Sequence, residues 1–128
     1  MSKIIEAVES KWIASGGPLV QRFEAAIREI TGFRYVVWTA SCTAALQLAF
    51  RVLNVREGDE VWCPTLTFIA SVAPAVQLGA VPRLFDIDIA TWTIDVSLIE
   101  EELSIAARKG NLPRVVVSTD LYGNPAKA

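Results

Sequence analysis

Four short apolar runs, each followed or preceded by a stretch of helical character, constrain this chain more than any other feature. "YVVWT" (Tyr35 to Thr39), "EVWC" (Glu60 to Cys63), "VPRLFDI" (Val81 to Ile87) and "RVVVST" (Arg114 to Thr119) are rich in β-branched and aromatic residues. Bounded by turn signals such as Glu57-Gly58-Asp59, they read as buried strands. The stretches around them carry the other period. Val20, Phe23, Ile27 and Ile30 recur at helical spacing between Pro18 and Gly32, with Pro near the start and Gly just past the end. Thr43 to Leu53 has only Gln47 and Arg51 as strongly polar side chains, four apart, which predicts a helix buried nearly all round. Phe68 to Leu78 is helical in pattern with a kink expected at Pro74. Asp95 is placed to cap a helix from Val96 to Lys109 whose inner side holds Ile99, Leu103 and Ala106.

Strands that alternate with helices predict an α/β fold of three layers, α/β/α, with a mainly parallel sheet and right-handed crossovers. The length suits one domain over residues 1–128, an N-terminal helical segment (1–33) followed by βαβ units (34–128). Function in such folds gathers where strand carboxyl ends lead into loops and helix N-termini. The positions that qualify are Ala40 to Thr43, Pro64 to Phe68, Asp86 to Asp88 and Asp120 to Tyr122.

Composition narrows the chemistry. A net charge of −2 with basic residues scattered singly argues against nucleic acid and anionic membranes as partners. Apolar segments are interrupted well short of about 18 residues, and Lys3, Glu6, Glu9 and Lys11 stand where a signal peptide would be apolar. A cytoplasmic address is expected. Cys42 and Cys63 lack metal-ligand or CxxC spacing and are expected to be reduced thiols. The absence of histidine excludes a Ser-His-Asp or Cys-His triad and removes the commonest metal ligand.

"TASCTAAL" (Thr39 to Leu46) sets a thiol between two hydroxyls at a strand-to-helix junction. It reads as an anion cradle of backbone amides and the Thr43 hydroxyl, or as helix capping by Ser41 or Thr43. A helix N-terminus also activates a thiol, which keeps a cysteine-dependent enzyme centred on Cys42 as a further reading. "GGP" (Gly16 to Pro18) reads as a turn, since neither a Walker sequence nor GxGxxG is present. Asp86 and Asp88 of "DID", with Asp95, read as carboxylates that satisfy loop amides and caps in preference to a metal site. Phe68 is either core or a platform for a planar ligand.

Six segments in one order then carry a resemblance over essentially the whole chain: "KWIASGGPLVQRFE" (Lys11 to Glu24), "SCTAALQLAF" (Ser41 to Phe50), "GDEVWCPTLTFIAS" (Gly58 to Ser71), "GAVPRLFDID" (Gly79 to Asp88), "TWTIDVSLIEEEL" (Thr91 to Leu103) and "DLYGNPA" (Asp120 to Ala126). Together they resemble the DegT/StrS-type sugar aminotransferases, pyridoxal-phosphate enzymes of fold type I that aminate nucleotide-linked keto sugars, with an amino donor such as glutamate, in polysaccharide biosynthesis. The resemblance implies that the backbone around Cys42 and the backbone and hydroxyl of Thr43 hold the cofactor phosphate, and that Phe68 stacks on the pyridine ring. Cys42 departs from the family's usual Gly or Ala and fits if its side chain points away from the phosphate. Tyr122 is assigned no direct contact.

The same resemblance implies that the cofactor-linking lysine and the aspartate facing the pyridine nitrogen lie beyond Ala128. Lys3, Lys11, Lys109 and Lys127 match none of the family's lysine context, so no catalytic residue is assigned and the chain alone is expected not to transaminate. In the family the sheet places "YVVWT" beside later strands. Without them that strand is expected to seek another neighbour, which predicts a homo-oligomer. A stand-alone binding or assembly module without catalysis is the alternative reading.

Overall fold

A computed structural model of the chain describes residues 2–12 and 16–126. They fall into two compact units, one within residues 1–40 and one within residues 41–128. In the first, α1 (Ser2–Glu9) and α2 (Pro18–Thr31) are joined by an ion pair, Arg22 Nη1 to Glu6 Oε1 at 2.8 Å. Both charges are exposed, so the pair contributes at most about 1 kcal/mol. Pro18 opens α2 and Gly32, at φ 73°, ends it, its amide returning to the Arg28 carbonyl as the sequence pattern predicts.

The second unit is built on β1 (Glu60–Pro64), which lies between β2 (Val81–Phe85) and β3 (Val115–Val116), parallel to both. Register sets Trp62 beside Arg83 and Val116, and Val61 beside Pro82 and Val115. Because strand side chains alternate, Val61 and Trp62 enter opposite faces. Val61 joins Phe50, Val55, Ala75 and Ala80 in a core shared with α3 (Cys42–Val52) and α4 (Ala73–Gln77). Trp62 joins Phe85, Ile94, Ile99 and Ala106 in a second core under α5 (Val96–Lys109). Helices thus cover both faces of a parallel sheet, the three-layer α/β arrangement expected. Pro82, which has no amide to donate, sits on the edge strand β2, where it is tolerated.

The α5 side is tied together by polar groups at its rim. Trp62 is 0% exposed, yet its indole Nε1 donates to Glu60 Oε2 at 2.8 Å, so the buried N–H is satisfied. Its ring lies 4.7 Å from that of Phe85, and the Arg83 guanidinium stands 5.1 Å from both ring centres while pairing with Glu102 of α5 at 2.6 Å. Asp95 caps α5 as read from the sequence: its carboxylate accepts from the Ser97 hydroxyl and from the amides of Ser97 and Leu98. The Ser97 hydroxyl is the main cause of a lowered Asp95 pKa; partial desolvation opposes it, and the two amides add to it.

Four expectations are corrected. Tyr35–Thr39 forms no strand; it is irregular, with Tyr35 75% exposed and the Trp38 amide bonded to Glu24 Oε1 at 2.9 Å. A strand needs a neighbour to take its N–H and C=O groups, and this segment takes part in no strand pairing among the described residues. Helix α3 is not buried all round, since Phe50 is its only buried residue and Val52 is 77% exposed. Instead of one kinked helix, residues 68–78 make a 3-10 turn (Ile69–Ser71) and then α4, with Pro74 in the first turn of α4 where its missing N–H costs nothing. Arg114 to Thr119 shortens to Val115–Val116 flanked by two further ladder bonds, Arg114 N to Glu60 O (2.8 Å) and Val117 N to Trp62 O (2.7 Å). β1 itself continues through Cys63 to Pro64, past the last paired position, so it is β3 that leaves the ladder early.

Candidate functional site

Helix α3 begins with a side-chain cap. Ser41, in extended conformation, accepts the Ala44 amide on its Oγ at 3.1 Å, and its carbonyl takes the Ala45 amide at 3.0 Å. That leaves the amides of Cys42 and Thr43, which have no intrahelical acceptor by geometry and make no hydrogen bond among the described residues. Cys42 and Thr43 are exposed, and the first turn of α3 carries no acidic side chain. The donor set is therefore two amides, one hydroxyl and the positive end of the helix dipole, a combination suited to an anion.

The helix is aimed by its other end. Arg114 Nε donates to the Leu53 carbonyl at 2.8 Å, and the Arg114 amide bonds to Glu60, so the α3 C-terminus lies at the amino edge of the sheet. Eleven residues of helix and five of strand each span about 16 Å. Since α3 also packs on the 3-10 turn that follows β1, its N-terminus lies toward the carboxyl edge.

At that edge the loop after β1 presents Phe68, 75% exposed in extended conformation at the start of the 3-10 turn. Phe68 is therefore not part of the core among the described residues. Thr65 N bonds to Phe85 O at 2.8 Å, and Phe68 O accepts the Ser71 amide at 2.9 Å, so the loop is held on both sides of the ring. Three residues missed in the sequence belong here. Thr67 Oγ1 lies 2.7 Å from Ser71 Oγ and 3.1 Å from Thr119 Oγ1, joining the loop after β1 to the segment after β3. The available signal was the recurrence of hydroxyl residues after both strands, in "TLTFIAS" and "VVVST".

The other strand-end residues are occupied locally. Asp86 accepts the Ile87 amide at 2.9 Å, Asp88 the Ala90 amide at 2.8 Å, and Asp120 the Ala126 amide at 2.9 Å. Among the described residues no group of three or more His, Cys, Asp or Glu side chains converges on a common point. Tyr122, at φ 53°, projects from a turn and is 91% exposed. The thiols of Cys42 and Cys63 are free, the first exposed and the second buried; burial pushes the Cys63 thiol pKa up. Lys127 lies outside the described residues.

Known proteins match this arrangement. The sequence profile of the DegT/DnrJ/EryC1/StrS aminotransferase family covers residues 1–128. EpsN of Bacillus subtilis (strain 168), a provisionally assigned pyridoxal phosphate-dependent aminotransferase, is 42% identical over 124 residues, 97% of this chain and 32% of EpsN. GDP-perosamine synthase of Escherichia coli O157:H7 is 38% identical over 120 residues, 94% of this chain and 31% of the synthase. The crystal structure of a DegT DnrJ EryC1 StrS aminotransferase from Brucella abortus superposes with a TM-score of 0.89 at 28% identity, over 98% of this chain and 34% of that one. The chain thus spans about a third of the length of the curated relatives it matches.

Proposed function

Since this chain belongs to the DegT/DnrJ/EryC1/StrS aminotransferase family, we propose that residues 1–128 are the amino-terminal part of the cofactor-binding large domain of a pyridoxal-phosphate-dependent sugar aminotransferase. The observation that carries the reading is the donor-only N-terminus of α3, aimed at the sheet edge where Phe68 stands exposed. The amides of Cys42 and Thr43 and the Thr43 hydroxyl donate to the cofactor phosphate. Phe68 covers one face of the pyridine ring and keeps water from it. When bound, pyridoxal phosphate supplies the electron sink for moving an amino group. For the whole-length protein the substrate is a nucleotide-linked keto sugar and the amino donor an amino acid such as glutamate. Taken by themselves these 128 residues hold and orient the cofactor without transferring the amino group, because none of Lys3, Lys11, Lys109 and Lys127 stands in the lysine context that the resemblance implies.

Two further parts of the reading concern surroundings. Exposed apolar side chains at Tyr35, Val37 and Ile30 support association with a second copy. Two free thiols suit a cytoplasmic address, and among the described residues no helix is long and apolar enough to cross a membrane.

Calorimetric titration of the chain with pyridoxine 5′-phosphate tests the site, because this ligand has the ring and phosphate without the lysine-reactive aldehyde. Saturable binding is expected, weakened by Thr43→Val and by Phe68→Ala. Absence of binding, or binding indifferent to both substitutions, removes the reading.

A further inference from the structure

We propose that Thr67 is a positioning residue that fixes how Phe68 is presented to the cofactor ring. The inference rests on the reading that Phe68 stacks on that ring. An exposed aromatic on a loop ordinarily samples many orientations, and ordering it on binding costs affinity. Here the ordering is done beforehand by a line of three hydroxyls, Ser71–Thr67–Thr119. Thr67 is half-buried at its centre, 2.7 Å from one and 3.1 Å from the other.

Each contact acts on a different part of the loop. Ser71 works twice, since its hydroxyl meets Thr67 while its amide donates to the Phe68 carbonyl at 2.9 Å, so the residue before the ring and the ring's own backbone are pinned by one neighbour. Thr119 adds a distant anchor, fifty-two positions along the chain, which ties the loop to the segment leaving β3. The start of the loop is held separately by Thr65 to the Phe85 carbonyl. Between these points Phe68 keeps an exposed ring on a backbone with little freedom left. Both contacts of the Thr67 hydroxyl are to the protein, and Thr67 acts through Phe68.

The test compares a ligand that has a ring with one that lacks it. For Thr67→Val, which keeps the shape and removes the hydroxyl, pyridoxine 5′-phosphate is expected to bind roughly fivefold to tenfold more weakly, the scale of one lost hydrogen bond, while inorganic phosphate binds as to the unaltered chain. Thr67→Ser restores the ring-bearing ligand. The double variant T67V/F68A is no weaker than F68A, because both remove the same interaction. If F68A weakens binding and T67V does not, positioning by Thr67 is wrong and stacking by Phe68 survives. If F68A has no effect, stacking is wrong and this inference falls with it. Equal loss for both ligands in T67V also overturns it, as a general loosening of the site. Should T67V not fold, Thr119→Val removes the outer anchor, and the same split between the two ligands is required of it.

Discussion

The Ser41 hydroxyl accepts the Ala44 amide at 3.1 Å, so the helix that opens at Cys42 is capped from outside and its first two amides stay available. Of the donors in "TASCTAAL", the Ala44 amide is used by the cap, while those of Cys42 and Thr43 make no hydrogen bond among the described residues, as the proposed phosphate site requires.

That division makes a prediction. Ser41→Ala removes the cap and lowers stability by about 1 kcal/mol in urea unfolding. Ser41→Asp keeps a cap of similar strength but sets a negative charge beside the two donors. It is expected to unfold near the unaltered midpoint while binding pyridoxine 5′-phosphate more weakly. Unchanged affinity in Ser41→Asp argues against a phosphate at this helix end.

The two thiols differ in access and in pH response. Cys42 is exposed and Cys63 buried, so a thiol reagent should label one group per chain in the native state and a second only on unfolding. Burial raises the Cys63 pKa above the ordinary 9.0. As pH rises past 9.0 the unfolded chain releases this proton while the folded chain retains it, so stability falls from there toward the folded pKa. Cys63→Ala should flatten that alkaline decline relative to the parent; an identical slope would show that another group causes it.

Asp95 works at the opposite end of the scale. Its pKa is lowered from 3.8, chiefly by the Ser97 hydroxyl, so its contribution is full above the unfolded value and is lost as pH falls through the folded one. Asp95→Asn, followed by circular dichroism in acid, is expected to be less acid-sensitive than the parent as pH falls through 3.8 and below. Equal sensitivity in both would contradict the cap's role.

Gly79 and Gly110 separate two costs of a side chain. Both have positive φ, 83° and 69°, but an added Cβ at Gly79 lies 2.9 Å from Glu57 Cβ, whereas nothing approaches it at Gly110. Gly110→Ala is expected to cost about 1–2 kcal/mol for the left-handed backbone alone. Gly79→Ala should cost clearly more, since the turn that joins Gly58 N to Gly79 O at 3.0 Å must open to admit it. Equal losses in urea unfolding would mean that the Glu57 contact relaxes freely.

Much of the fold was legible because its signals are local. Pro18 and Gly32 bracket α2, Asp95 and Gly110 bracket α5, and β1 and β2 follow their turn residues closely. Each of these depends on hydrogen bonds or dihedral preferences within a few positions. The positions of Cys42 and Thr43 at a helix start were equally readable, because Ser41 precedes a run of helix formers. Phe68 was not readable as core or surface, since an aromatic suits both.

By itself the sequence determined the helices α2 and α5, the start of α3 at Cys42, and the strands β1 and β2 among the four it proposed. Tertiary structure alone decided that "YVVWT" forms no strand, that α3 keeps an open face, and that Thr67 meets Thr119. The reason is the same in all three cases. A strand, a buried face and a hydroxyl contact across fifty-two positions each require a partner that comes from a distant part of the chain, and composition within the segment carries no record of whether that partner arrives.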